Sequence, residues 1–137
     1  MIKTLILINS FVYEILMTSR ETYNISFLRD EGVTITVDAL CPVCGLETET
    51  VSHILWSCES AKDVWSECCG AIQKCSSIEV EFSSLFEILI EKFTEEEMQL
   101  MVGVARQIWL RRNAVVFGGE FLSPGALVKQ ASDQLEA

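Results

Sequence analysis

Four residues constrain this chain more than any others: Cys41, Cys44, His53 and Cys58, in the arrangement Cys-x2-Cys-x8-His-x4-Cys. Within residues 41–58 they offer three thiols and one imidazole, a full ligand set for tetrahedral zinc. A chain that gathers them around one ion has to fold back on itself twice in this stretch. The first reversal is a tight turn between Cys41 and Cys44, where Pro42 and Gly45 are suitable turn residues. The second brings His53 and Cys58 in from the far side of the intervening loop. His53 is the single histidine of the chain, and it stands where the fourth ligand is needed. Two alternatives compete with a metal. Cys-x-x-Cys also serves redox dithiols, which want a helix start after a strand in a βαβ setting, whereas the downstream sequence reads as helices. The cysteines could also be small apolar residues, with His53 an ordinary core or surface histidine.

The metal reading carries a geometric condition. Each residue of a regular helix turns ~100°, so residues five apart point about 140° away from one another. His53 and Cys58 can face one ion only if the helix starts near His53 and ends or distorts before Cys58. Ser57 and the Glu59-Ser60 pair supply such a break, with Ser60 as cap of the next helix. The second imidazole nitrogen needs an acceptor, either a backbone carbonyl or Glu49. Four protein ligands fill the usual coordination of zinc, so the implied site is structural.

Around this turn the chain reads as a mainly α fold. Residues 4–18 are apolar enough for helix or strand, which period alone does not separate. VTITV at residues 33–37 alternates and is β-branched, which predicts one short β element before the first cysteine. Beyond Cys58, the spacing of Ala61, Val64, Trp65, Cys68 and Ile72 makes one apolar stripe on a helix. A second helix covers Ser84–Phe93, with Leu85, Ile88, Leu89 and Phe93 inward. Thr94-Glu95-Glu96-Glu97 is a capping box, and its carboxylates suit the positive end of the helix dipole. Met101, Val104, Ala105, Ile108 and Trp109 continue that helix until Gly118-Gly119 stops it. Ser123 and Pro124 open another, as cap and first-turn residue. The aromatic set Trp65, Phe86, Phe93, Trp109 and Phe117 reads as core. Cys68 reads as core too, and Cys69 and Cys75 as structural or incidental.

The stretch CPVCGLETETVSHILWSCESAKDVW, residues 41–65, resembles the zinc-binding domain that follows the reverse transcriptase in plant non-LTR retrotransposon polyproteins. The likeness lies in the Cys-Pro-x-Cys-Gly turn, the acidic loop with Glu47 and Glu49, the His-x4-Cys closure, and Ala61, Val64 and Trp65 opening the next helix. Downstream, IWLRRNAVVFGGEFLSP at residues 108–124 looks like the Trp-x-x-Arg-Asn-x-x-x-Phe stretch that leads such polyproteins toward a ribonuclease H domain. The resemblance covers roughly residues 28–135. It implies a divergent apolar segment at 1–27, a zinc-binding helical module at 28–117, and a linker helix at 118–137 leading toward a ribonuclease H domain. It departs from the family upstream, where MTSRETYNISFLRDEGV replaces a Leu-Pro-Thr turn and a basic helix, leaving Thr18 or Thr22 as relics. Neither a paired-aspartate polymerase signature nor a ribonuclease H domain accompanies it, so the resemblance implies a detached module without the parent's enzymatic activities.

Charge narrows the function further. The chain carries −10 at pH 7, and residues 41–75 hold Glu47, Glu49, Glu59, Asp63 and Glu67 against Lys62 and Lys74. Phosphate binding draws its affinity from Lys and Arg, so this segment repels a polyanion. The basic cluster Arg106, Arg111 and Arg112 either caps the end of the long helix by the dipole rule or gives a weak nucleic-acid contact. Catalysis would need a site of its own: a triad has to use His53, and Gly118-Gly119 is too short for a phosphate loop. The N-terminal run is broken by Asn9, Ser10 and Glu14 and falls short of a spanning helix, which takes ~20 apolar residues. The expectation is an intracellular, nuclear or cytoplasmic module holding Zn2+. It has no enzymatic activity, membrane anchor or small-molecule substrate, and acts as a docking or spacer element for a protein partner. A nucleic-acid-binding finger is the alternative.

Overall fold

Thr94 begins the longest helix among the described residues in the way its sequence dictates. Its hydroxyl accepts the Glu97 backbone N–H at 3.2 Å, and the Glu97 carboxylate accepts the Thr94 N–H at 2.9 Å. Two amides left open by the first turn are thereby satisfied. The computed structural model describes residues 40–68, 70 and 91–136. The readings for 1–27, 33–37, Ile72, Cys69, Cys75, Phe86 and nearly all of Ser84–Phe93 lie outside them.

The described chain is mainly α. A π-helical turn spans His53–Ser57, followed by α1 (Glu59–Ser66), α2 (Glu95–Phe117) and α3 (Pro124–Glu136). Among the described residues the β content is one isolated antiparallel bridge, Leu40 to Thr48. The α2 helix is central. Met98, Met101, Val102, Ala105, Ile108 and Trp109 repeat at helical spacing and are buried, and Val104, Gln107 and Arg111 widen the covered surface onto a second face. That is why α2 touches both α3 and the π-turn.

Gly118 ends α2 at φ 88°, a left-handed conformation that glycine adopts without strain and that turns the chain out of the helix. Ser123 and Pro124 then restart it: the Ser123 hydroxyl accepts the Ala126 N–H at 3.4 Å. The new helix returns along α2, burying Leu127 and Ala131 and pairing Gln107 Nε2 with Gln134 Oε1 at 3.0 Å. It reaches α1 as well.

Trp56, Trp65 and Trp109 are all at least 98% buried. Rings of this size contribute roughly 4–6 kcal/mol of transfer free energy each, before conformational entropy is counted. Cys68 is buried and Phe93 packs against the core, as their spacing predicts. Phe117 does not. It is 60% exposed, in a last turn of α2 where Val115 and Val116 are exposed as well.

Candidate metal centre

The site is built on two unusual turns. In the first, the Cys41 N–H donates to the Glu47 carbonyl at 2.7 Å and the Gly45 N–H to the Cys41 carbonyl at 2.8 Å. Gly45 sits at φ 69°, the left-handed region that this reversal requires. The Leu40–Thr48 bridge clamps the two ends together, so Cys41 and Cys44 leave the same small loop.

The second turn solves the His53–Cys58 problem. The Thr50 hydroxyl accepts the His53 N–H at 3.0 Å, and the Thr50 carbonyl accepts the Ile54 N–H at 3.0 Å, starting a helical turn. It then widens: the Cys58 N–H donates to the His53 carbonyl at 2.7 Å, an i→i+5 bond. An α-helix would rotate Cys58 away from His53; the π-turn stacks residue i+5 over residue i and brings both to one side. Widening leaves carbonyls in need of donors, and the Trp65 indole N–H supplies one to Leu55 O at 2.7 Å, fully buried. Trp56 meets Trp65 with ring centroids 5.4 Å apart and planes tilted by 56°. Trp65 is thus a latch on the π-turn as well as a core ring.

Cys58 ends the turn and is the N-cap of α1, which begins at Glu59. The expected break is where the sequence put it, but Ser60 is not the cap. It lies in the first turn of α1 and turns its hydroxyl and carbonyl toward Arg111.

The ligand atoms of Cys41, Cys44, His53 and Cys58 all lie within 4.8 Å of one another. With Zn–S bonds near 2.3 Å and Zn–N near 2.0–2.1 Å, neighbouring ligand atoms of a filled tetrahedron sit about 3.5–3.8 Å apart. The cluster matches that scale, and one edge, Cys44 Sγ to His53 Nε2, is 3.3 Å. Nε2 is therefore the nitrogen turned toward the thiols. The four groups fit a metal ion; three sulfurs and one imidazole suit a borderline-soft one.

The site's surroundings split the thiols. The Leu46 backbone N–H, with smaller help from His53 and the Glu47 backbone, lowers the Cys44 thiol from its ordinary 9.0 to about 6. Burial pushes Cys58 the other way, up to about 11. Nδ1 of His53 is enclosed and makes no hydrogen bond among the described residues. Glu47 Oε2 stands 3.3 Å from it. Of the two acceptors named from sequence, a backbone carbonyl and Glu49, the second is elsewhere.

Glu49 is committed to Arg112. The guanidinium grips its carboxylate with two bonds, Nε–Oε2 at 2.8 Å and Nη2–Oε1 at 2.6 Å, with side chains 1% and 4% exposed. Arg112 also donates to Asn113 Oδ1 at 3.1 Å and lies 5.0 Å from the Trp109 ring. Arg111 donates to Leu122 O at 3.3 Å and to Ser60 O and Oγ at 3.2 and 2.7 Å, with its guanidinium 4.3 Å over Phe121. Burial lowers its proton affinity, and the charges of Cys58 and Asp63 oppose that. Both guanidinium groups are therefore engaged inside the protein. Arg111 and Arg112 tie α2 to the cysteine loop, to α1 and to the segment just before α3. Arg106 is half-buried and engaged as well.

Beside the cluster lies an open groove lined by Leu40, Leu46, Glu47, Thr48, Thr50 and His53. Among the described residues, no helix is long and apolar enough to cross a membrane. No family model, curated protein or solved structure matches the chain.

Proposed function

We propose that this chain is a non-catalytic zinc-binding helical module. The observation that carries the reading is the convergence of Cys41, Cys44, His53 and Cys58 to within 4.8 Å. When bound, zinc supplies four bonds that cross-link the cysteine loop to the π-turn, worth about 10–16 kcal/mol in small structural sites. That is comparable to the whole stability of a small domain. With four protein ligands, no position is left for substrate or activated water, so the role is structural. The one histidine of the chain is used as a ligand, which leaves no imidazole for acid–base work.

The module's wider role is docking or spacing, as its resemblance to the reverse-transcriptase zinc-binding modules suggests. Two features support that extension. Ala61, Val64 and Trp65, which carry part of the resemblance, are buried as a module of that kind needs. Leu40, Leu46 and Val51 on the cysteine loop are exposed and offer apolar contacts to a protein partner. The nucleic-acid reading loses its support, because two of its three arginines are committed internally.

The test is elemental analysis and circular dichroism of the reduced protein before and after a strong chelator. The expected result is one zinc per chain and loss of helicity on chelation, with His53→Ala unable to retain metal. Protein that carries no zinc and keeps its helicity in chelator would overturn the reading.

A further inference from the structure

The loop between Cys44 and His53 carries two carboxylates two residues apart, and the fold gives them opposite tasks. Glu49 is 4% exposed and held by Arg112. Glu47 is 71% exposed, yet its carboxylate oxygen stands 3.3 Å from Nδ1 of a histidine side chain that is 8% exposed. That nitrogen has no other partner among the described residues. An enclosed ring nitrogen without an acceptor is costly, so the contact needs an explanation.

His53 turns Nε2 toward the thiols, 3.3 Å from Cys44 Sγ. If Nε2 is to give its lone pair to a metal ion, Nδ1 has to carry the proton, and it can then donate to a carboxylate. We infer that Glu47 is the positioning residue of the metal centre, accepting the Nδ1–H of His53 and thereby fixing its tautomer and ring orientation. The inference rests on the zinc reading and deepens it. Backbone geometry holds Glu47 at this place: its carbonyl accepts the Cys41 N–H at 2.7 Å, inside the loop that carries the first two ligands. One residue thus joins the cysteine turn to the histidine ligand from the solvent side, while Glu49 joins the same loop to α2.

The test uses the zinc-loaded protein with Glu47→Ala, Glu47→Gln and a charge control, Glu67→Gln, on the exposed end after α1. Zinc affinity is read by competition with a chelating dye, and the His53 ring by long-range proton–nitrogen NMR. A single histidine makes that spectrum unambiguous. Loss of such an outer carboxylate typically costs 10–100-fold in metal affinity. Glu47→Ala should fall in that range, and Glu47→Gln, which keeps a neutral acceptor oxygen, should fall less. Glu67→Gln should match the wild type. The Nδ1 proton should be slow to exchange in the wild type and fast in Glu47→Ala, with circular dichroism unchanged. If wild-type zinc binds through Nε2 but the Glu47 variants stay within twofold of the control, Glu47 has no positioning role and the metal centre stands without it. A wild type that binds no zinc, or binds it without His53, overturns both readings together.

Discussion

Breaking the Glu49–Arg112 pair from one side should damage the fold more than removing it altogether. Arg112→Met leaves the Glu49 carboxylate at 4% exposure without its cation, and also removes the contacts with Asn113 and Trp109. An uncompensated buried charge costs about 3–5 kcal/mol. Glu49→Leu strands the guanidinium in the same way, at a similar cost. In the double variant Glu49→Leu/Arg112→Met neither charge remains, and apolar side chains fill the space. Such replacements are often neutral or stabilising, so the double variant should lie within about 1–2 kcal/mol of the wild type and be more stable than either single. The assay is urea unfolding of the reduced, zinc-saturated proteins, followed by circular dichroism. With slopes near 1–3 kcal/mol per molar urea, a loss of ~3 kcal/mol moves the midpoint by about 1–3 M. Single variants that cost under ~1 kcal/mol would mean a surface-like pair. A double variant whose loss equals the sum of the singles would mean that the two side chains do not act on each other. Either result refutes the assignment of Arg112 as an internal clamp.

Other perturbations test separate links. Trp65→Phe leaves the Leu55 carbonyl without its 2.7 Å donor, which should cost about 1–3 kcal/mol from that group alone and weaken zinc binding as the π-turn relaxes; urea unfolding and a dye competition read the two effects. Thr94→Ala removes the cap of α2 and should cost ~1 kcal/mol by urea unfolding while leaving zinc affinity unchanged. The two shifted thiols set the pH dependence of the metal-free protein. Cys44, depressed to about 6, contributes stability that is full above pH 9.0 and is lost as pH falls through about 6. Cys58, raised to about 11, contributes stability that is full below pH 9.0 and is lost as pH rises through about 11. Whatever helicity survives in chelator should therefore be greatest near pH 9, as circular dichroism of the metal-free protein across pH 5–11 would measure.

Local signals in the sequence were the ones that carried through to the fold. The Thr94–Glu97 box, the Gly118 stop and the Ser123-Pro124 start each depend on a few adjacent residues, and each forms where its rule predicts. The four-residue cluster was legible for a similar reason, since residue type and spacing together specify it. The need for a break before Cys58 followed from helix geometry, but its form did not. A widened π-turn depends on a donor from Trp65, ten residues beyond the carbonyl it satisfies. Longer-range choices were hidden. Glu49 and Arg112 are 63 positions apart, and charged residues are so often on the surface that a buried fork has no local signature. The place of Glu47 beside His53 was hidden in the same way, since it follows from the engagement of Glu49 by Arg112. Phe117 shows the converse limit. Its helical spacing suited a core face, but the whole last turn of α2, Val115 to Phe117, is exposed.

X-ray absorption at the zinc edge of the purified reduced protein would test the account most directly. It predicts one zinc per chain with three sulfurs at about 2.3 Å and one nitrogen at about 2.0–2.1 Å, the nitrogen lost in His53→Ala. An oxygen-rich shell, or zinc with fewer than three sulfur ligands, would contradict it.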